Sequence, residues 1–99
     1  MLPAKIKSLV LQLIEQTESG SIKWNYDDEN ASVDAFLADR SKFKIKYQFD
    51  YNIELATFTL RLESNEKEYI FTTDQSFKDY DYVKRLYESA QASDLDLNL

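Results

Sequence analysis

Apolar positions along the chain switch from a helical period to a strand period and back again. Ile6, Leu9, Val10, Leu13, Ile14 and Thr17 recur at steps of three and four, one stripe of an amphipathic helix. Pro3 suits the first turn of that helix. Gly20, the only glycine, is where a left-handed C-terminal cap is expected, because no Cβ opposes positive φ there. The pattern predicts a helix from about Pro3 to Ser19. Ile22, Trp24 and Tyr26 then alternate with Lys23 and Asn25, which predicts a first strand ended by the acidic segment Asp27, Asp28, Glu29 and Asn30. Val33, Ala35 and Leu37 predict a second strand, with Phe36 on its opposite face and a turn at Asp39 to Ser41.

The most informative stretch runs from Phe43 to Leu62. Phe43, Ile45, Tyr47, Phe49 and Tyr51 fall on odd numbers, and Ala56, Phe58, Leu60 and Leu62 fall on even ones. Both sets reach one core face only if the hairpin loop has an even number of residues. A two-residue turn at Asn52 and Ile53 or a four-residue loop from Tyr51 to Glu54 gives the same register, Tyr47 opposite Phe58 and Ile45 opposite Leu60. Asn65 and Glu66 mark the next turn, and Tyr69 and Phe71 continue as a last strand. One register for that strand sets Glu63 opposite Glu68, a like-charge pair eased if Lys67 or Arg61 lies close. Asp79 or Asp81 is expected to cap a final helix with Tyr82 or Val83, Leu86, Tyr87 and Ala90 inward. Ser93 to Leu99 is expected to be a flexible tail.

The chain is therefore expected to be a single α+β domain over residues 1–99. About five antiparallel strands carry an N-terminal and a C-terminal helix on one face, a two-layer sandwich with the other face wet. Ninety-nine residues leave no room for a second domain, and one glycine, one proline and 43% hydrophobic residues are unlike a disordered chain. The interrupted apolar stretch at the N-terminus does not read as a signal peptide, and no run approaches the roughly 20 apolar residues of a membrane span. A cytoplasmic location without membrane contact is expected.

Absences narrow the chemistry. The chain has no cysteine and no histidine, which removes thiolate sites, cysteine nucleophiles, the commonest general base and the commonest transition-metal ligand. It has no glycine-rich phosphate loop and no Gly-x-Ser-x-Gly elbow, and no pair stands out among its many carboxylates for glycoside hydrolysis. Asp27, Asp28, Glu29 and Asn30 lack the spacing of a calcium loop. No catalytic residue, cofactor or metal is expected, and the chain is read as a non-enzyme. A net charge of -6 favours solubility and argues against nonspecific binding to nucleic acid or anionic membranes.

Two surfaces remain as candidates. The wet sheet face, with Lys44, Lys46, Thr57, Thr59, Arg61 and Thr72, is a candidate interaction face that offers no aromatic platform for bases. Tyr26, Asp27, Asp28 and Tyr80, with Tyr51, Asp79 and Asp81 also considered, form a candidate acidic-aromatic patch for a basic partner.

The pattern Leu13-Ile14-x-x-Thr17-x-x-Gly20-x-Ile22-x-Trp24, with Leu86-Tyr87-x-x-Ala90 in the last helix, resembles a group of small uncharacterised bacterial proteins. That resemblance implies the fold and a bacterial, cytoplasmic setting, and carries over no catalytic or binding residues. The expected function is a small noncatalytic protein-binding or regulatory protein, immunity-like in kind, acting as a monomer or weak homodimer on another protein. The alternatives are a nucleic-acid-associated protein using the basic sheet face, with an acidic DNA mimic as a variant, and a small-ligand carrier.

Overall fold

A computed structural model describes residues 1–94. Helix α1 spans Ala4–Glu18, and Pro3, extended at its start, lends its carbonyl to the N–H groups of Ile6 and Lys7, each at 3.0 Å. The buried stripe is Ile6, Val10, Leu13, Ile14 and Thr17. Thr17 is satisfied there because its hydroxyl accepts the indole N–H of Trp24 at 2.9 Å. Gly20, at φ +83°, ends the helix as its spacing predicts. Its N–H bonds the Thr17 carbonyl at 3.1 Å and the Ser21 N–H reaches back to Gln16 at 2.8 Å, the paired bonds of a Schellman cap.

Five strands follow, β1 (Asn25–Asp27), β2 (Ser32–Phe36), β3 (Lys42–Asp50), β4 (Leu55–Ser64) and β5 (Lys67–Asp74), in one antiparallel sheet whose spatial order is the chain order. The central hairpin pairs in the register that parity predicts. Tyr47 lies opposite Phe58 and Ile45 opposite Leu60, and the loop is the four-residue one, because Asp50 still pairs with Leu55. Asn65 and Glu66 both take positive φ, 51° and 63°, which matches a two-residue type I′ turn between the paired residues Ser64 and Lys67. Glu63 does oppose Glu68, and Arg61 relieves the pair through an ion pair to Glu68 at 3.0 Å.

Three elements differ from the sequence expectation. β1 begins only at Asn25, because the Trp24 N–H is taken by the Ser93 hydroxyl at 3.1 Å and not by a neighbouring strand. Leu37 falls outside β2: its N–H and carbonyl are used by Ser41 and Arg40 in the turn that follows. Ser93 closes helix α2 (Asp79–Ser93), and the Asp94 carboxylate accepts the Tyr26 N–H at 3.1 Å. These two residues of the expected tail are thus tied to β1, and the rest of that tail lies outside the described residues.

The two helices share one face of the sheet. Leu2 meets Asp79 at their N-terminal ends, and Glu18 pairs with Arg85 farther along. Val83, Leu86, Tyr87 and Ala90 of α2 are buried, whereas Tyr82 is exposed. Between the layers, Trp24 packs edge-on against Phe43 with ring centroids 6.1 Å apart. The architecture is α+β, an antiparallel five-stranded sheet with N- and C-terminal helices packed against it. Among the described residues no helix is long and apolar enough to cross a membrane.

Neither aspartate caps α2 through its side chain, since Lys78 occupies the cap position. Asp79 turns inward. Its carboxylate, 5% exposed, accepts the Leu2 N–H at 2.6 Å and the Thr73 hydroxyl. Burial opposes its charge, but these two donors, the positive N-terminus and Lys7 outweigh burial and hold the carboxyl below its ordinary pKa. A residue expected at a helix end instead joins the N-terminus, β5 and α2.

Candidate functional site

Strand pairing assembles the outer face row by row. Asp34, Lys44, Arg61 and Ile70 lie across one row, and Ser32, Lys46, Thr59 and Thr72 across the next. Thr57 falls beside Gln48 and Asp74 in a third. All six residues of the candidate interaction face therefore share one side of the sheet. The register also shows what surrounds them. The face holds four cations, Lys42, Lys44, Lys46 and Arg61, and six carboxylates, Asp27, Asp34, Asp50, Glu63, Glu68 and Asp74. The cations form a central strip hemmed by acids on both flanks, and Arg61 is already paired with Glu68. Phe36 and Ile70 are the exposed apolar groups of this face.

The acidic-aromatic residues separate. Tyr26 faces the helices, but Asp27, its neighbour in the strand, faces the outer side. The Asp27 carboxylate closes the β1–β2 turn, accepting the N–H groups of Glu29 at 3.1 Å and Asn30 at 3.3 Å and the Asn30 amide at 2.7 Å. The Asn30 side chain foremost holds its pKa below the ordinary value. Asp28 lies exposed in the same turn. Tyr51 is elsewhere, stacked edge-on with Phe49 at the tip of the central hairpin, ring centroids 4.8 Å apart.

Tyr26 and Tyr80 stand at two ends of a larger aromatic cluster. Tyr47 and Phe58, directly opposed on β3 and β4, form its floor, with centroids 5.3 Å apart. Tyr80, Lys84, Tyr87, Glu88 and Gln91 supply one flank of α2 at helical spacing. Phe58 meets Tyr80 at 5.2 Å and Tyr87 at 5.4 Å, and Tyr47 meets Tyr87 at 6.3 Å. The rings are tilted rather than stacked, and they leave a surface cleft of about 210 Å³ between α2 and the sheet. Burial first, then the closeness of the Tyr26 and Tyr47 hydroxyls, pushes the Tyr87 phenol up to about 12. Tyr80 is raised as well, by burial, then by Tyr47 and the carboxylates of Asp81 and Glu88. The alternation and the helical stripe assign Tyr47 and Tyr87 to the core. The signal that would have marked the cleft is the flank 80, 84, 87, 88 and 91, which mixes tyrosines with charge on one side of the helix.

Larger hollows lie elsewhere, one of about 540 Å³ beside Phe49, Tyr51 and Ile53 at the tip of the central hairpin and one of about 480 Å³ between Leu11, Glu15, Glu18 and Arg85. Another of about 560 Å³ lies between the β2–β3 and β4–β5 turns, lined by Asp39, Arg40, Glu63, Glu66 and Lys67 among others. Among the described residues no cluster of three or more acidic side chains is placed to hold a metal ion. Compared with known proteins, the chain matches no family model, no curated protein and no solved structure.

Proposed function

We propose that this protein is a small noncatalytic protein-binding or regulatory module, immunity-like in kind, whose receptor surface is the aromatic cleft between α2 and the sheet. The observation that carries this reading is a surface opening flanked by the part-exposed Tyr47 and Tyr80, which pack on the buried rings of Phe58 and Tyr87. Large rings held by two layers of secondary structure lose little entropy on binding, and such aromatic anchors dominate the energetics of protein interfaces. The cleft itself, at about 210 Å³, is smaller than the roughly 300–1,000 Å³ of ordinary small-molecule pockets, so it suits a projecting side chain better than a whole ligand. The outer face gives the nucleic-acid alternative little support, since phosphate binding needs net positive charge and its cations are outnumbered by carboxylates. A bacterial, cytoplasmic setting belongs to the same proposal and rests on the resemblance of the helix-stop and aromatic-strand pattern.

Affinity capture from bacterial lysate tests it, with three baits: the native chain, a Tyr80→Leu variant, and a variant carrying Lys44→Glu, Lys46→Glu and Arg61→Glu. A stoichiometric protein that survives nuclease, is lost with Tyr80→Leu and is kept by the charge-reversed bait is the expected result. Recovery of nucleic acid alone, lost with the charge-reversed bait, overturns the proposal, as does catalytic turnover that depends on a defined pocket.

A further inference from the structure

We propose that the cleft formed by Tyr47, Phe58, Tyr80, Tyr87 and Glu88 receives an arginine side chain projected by the partner protein. This inference rests on the protein-binding reading above and names the chemistry of its partner. Size comes first: about 210 Å³ suits one long side chain better than a whole ligand. The walls come second. Tyr47 and Tyr80 are the part-exposed rings of the lining, with the buried Phe58 and Tyr87 packed behind them, and an exposed tyrosine ring attracts a cation to its face. The same helix already shows that chemistry within the chain, where the Lys7 ammonium sits 5.2 Å from the centre of the Tyr82 ring.

Charge comes third. Glu88 lines the cleft, and Asp81 is close enough to act on Tyr80. Lys84 is the one cation of the lining, and among the described residues the ion pairs are Arg61–Glu68 and Glu18–Arg85, so Glu88 keeps a carboxylate to offer. Arginine fits better than lysine because its planar guanidinium lies flat on a ring while its edge donates to a carboxylate, two contacts that a spherical ammonium does not make together.

The test is an amide NMR titration of the isotope-labelled chain with capped pentapeptides, Gly-Gly-Arg-Gly-Gly against the same peptide with citrulline, the neutral isostere, or leucine at the centre. The arginine peptide is expected to give saturable shifts confined to residues around Tyr47, Phe58, Tyr80 and Tyr87. Citrulline should bind at least about tenfold more weakly, and Tyr80→Leu and the exposed-site change Glu88→Gln should each weaken the arginine peptide about tenfold, or about 1.4 kcal/mol. Amide dispersion of each variant verifies that it is folded. Equal binding of citrulline, or preferential binding of leucine, overturns the arginine while leaving protein docking at the cleft intact. Absence of cleft shifts with the arginine peptide also overturns it. The wider reading is tested separately, by the lysate capture described above, and docking at the cleft falls if that capture is indifferent to Tyr80→Leu.

Discussion

Removing the carboxylate of Asp79 should be the most costly single polar change in the molecule. Asp79→Ala strands two donors in a buried position, the Leu2 N–H and the Thr73 hydroxyl, and uncouples the N-terminus from β5 and α2. Hydrogen bonds to a charged group are each worth roughly 1.5–3 kcal/mol, and allowing for partial relaxation the pair should cost about 3 kcal/mol. That is a large share of the roughly 5–15 kcal/mol by which a domain of this size is stable, yet leaves it folded. With a urea slope of about 1.5 kcal/mol/M, the midpoint should fall by about 2 M. Asp79→Asn can accept from Leu2 and donate to Thr73, losing only the charge, and should cost about half as much. Trp24, the single tryptophan and fully buried, reports the transition by fluorescence. The pH dependence has a definite sign. The folded pKa of Asp79 lies below 3.8, so the unfolded chain binds more protons in acid, and the contribution is complete above that value and lost as pH falls through the folded pKa. The gap between native and Asp79→Ala proteins should therefore narrow in acid, while contributions common to both cancel. A midpoint shift under about 0.3 M at neutral pH, or a gap that does not narrow in acid, would refute the assigned role.

Two further outcomes concern the fold alone. Gly20→Ala meets open space but places a Cβ at φ +83°, so the cost is purely conformational, about 1 kcal/mol, or roughly 4–8 °C in Tm by calorimetry. Gly20→Asn should lose less, because asparagine tolerates the left-handed region; equal melting temperatures for all three would refute the cap. For Tyr87, a phenol pushed up to about 12 from 10.0 means the folded state retains its proton where the unfolded chain has lost it. Its stabilising share is full below pH 10 and is lost as pH rises toward 12. Tyr87→Phe should lack that alkaline fall, read as the urea midpoint at neutral pH and about pH 11; identical alkaline losses in both proteins would contradict the burial argument.

Much of the architecture was legible because it depends on short-range rules. Odd-to-even parity across residues 43 to 62 required an even loop and hence the pairing of Tyr47 with Phe58, whatever the turn type. A lone glycine after an apolar stripe stopped α1 through its own backbone freedom, and Asn65 with Glu66 placed a turn where two positive φ angles occur. Face assignment followed from the same alternation, so Lys44, Lys46 and Arg61 were recognisable as neighbours before any coordinates. The opposition of Glu63 and Glu68 was one register the pattern allowed, with Lys67 or Arg61 to relieve it, and Arg61 is the one that does.

Only the tertiary structure decided where the polar atoms go and which aromatic residues stay open. Ser93 shortens β1 and Asp94 holds Tyr26 across separations of 69 and 68 residues, and Asp79 reaches Leu2 across 77, pairings that no local period encodes. Asp27 spends its carboxylate closing the β1–β2 turn, and the acids flanking the lysine strip come from strands that pattern alone does not set side by side. The cleft arises the same way. Tyr47 and Tyr87 both occupy core positions by period, but the path of α2 over the sheet buries Tyr87 and leaves Tyr47 part-exposed beside Tyr80. Periodicity specifies which side of an element is apolar, whereas the crossing of two elements decides how completely that side is buried.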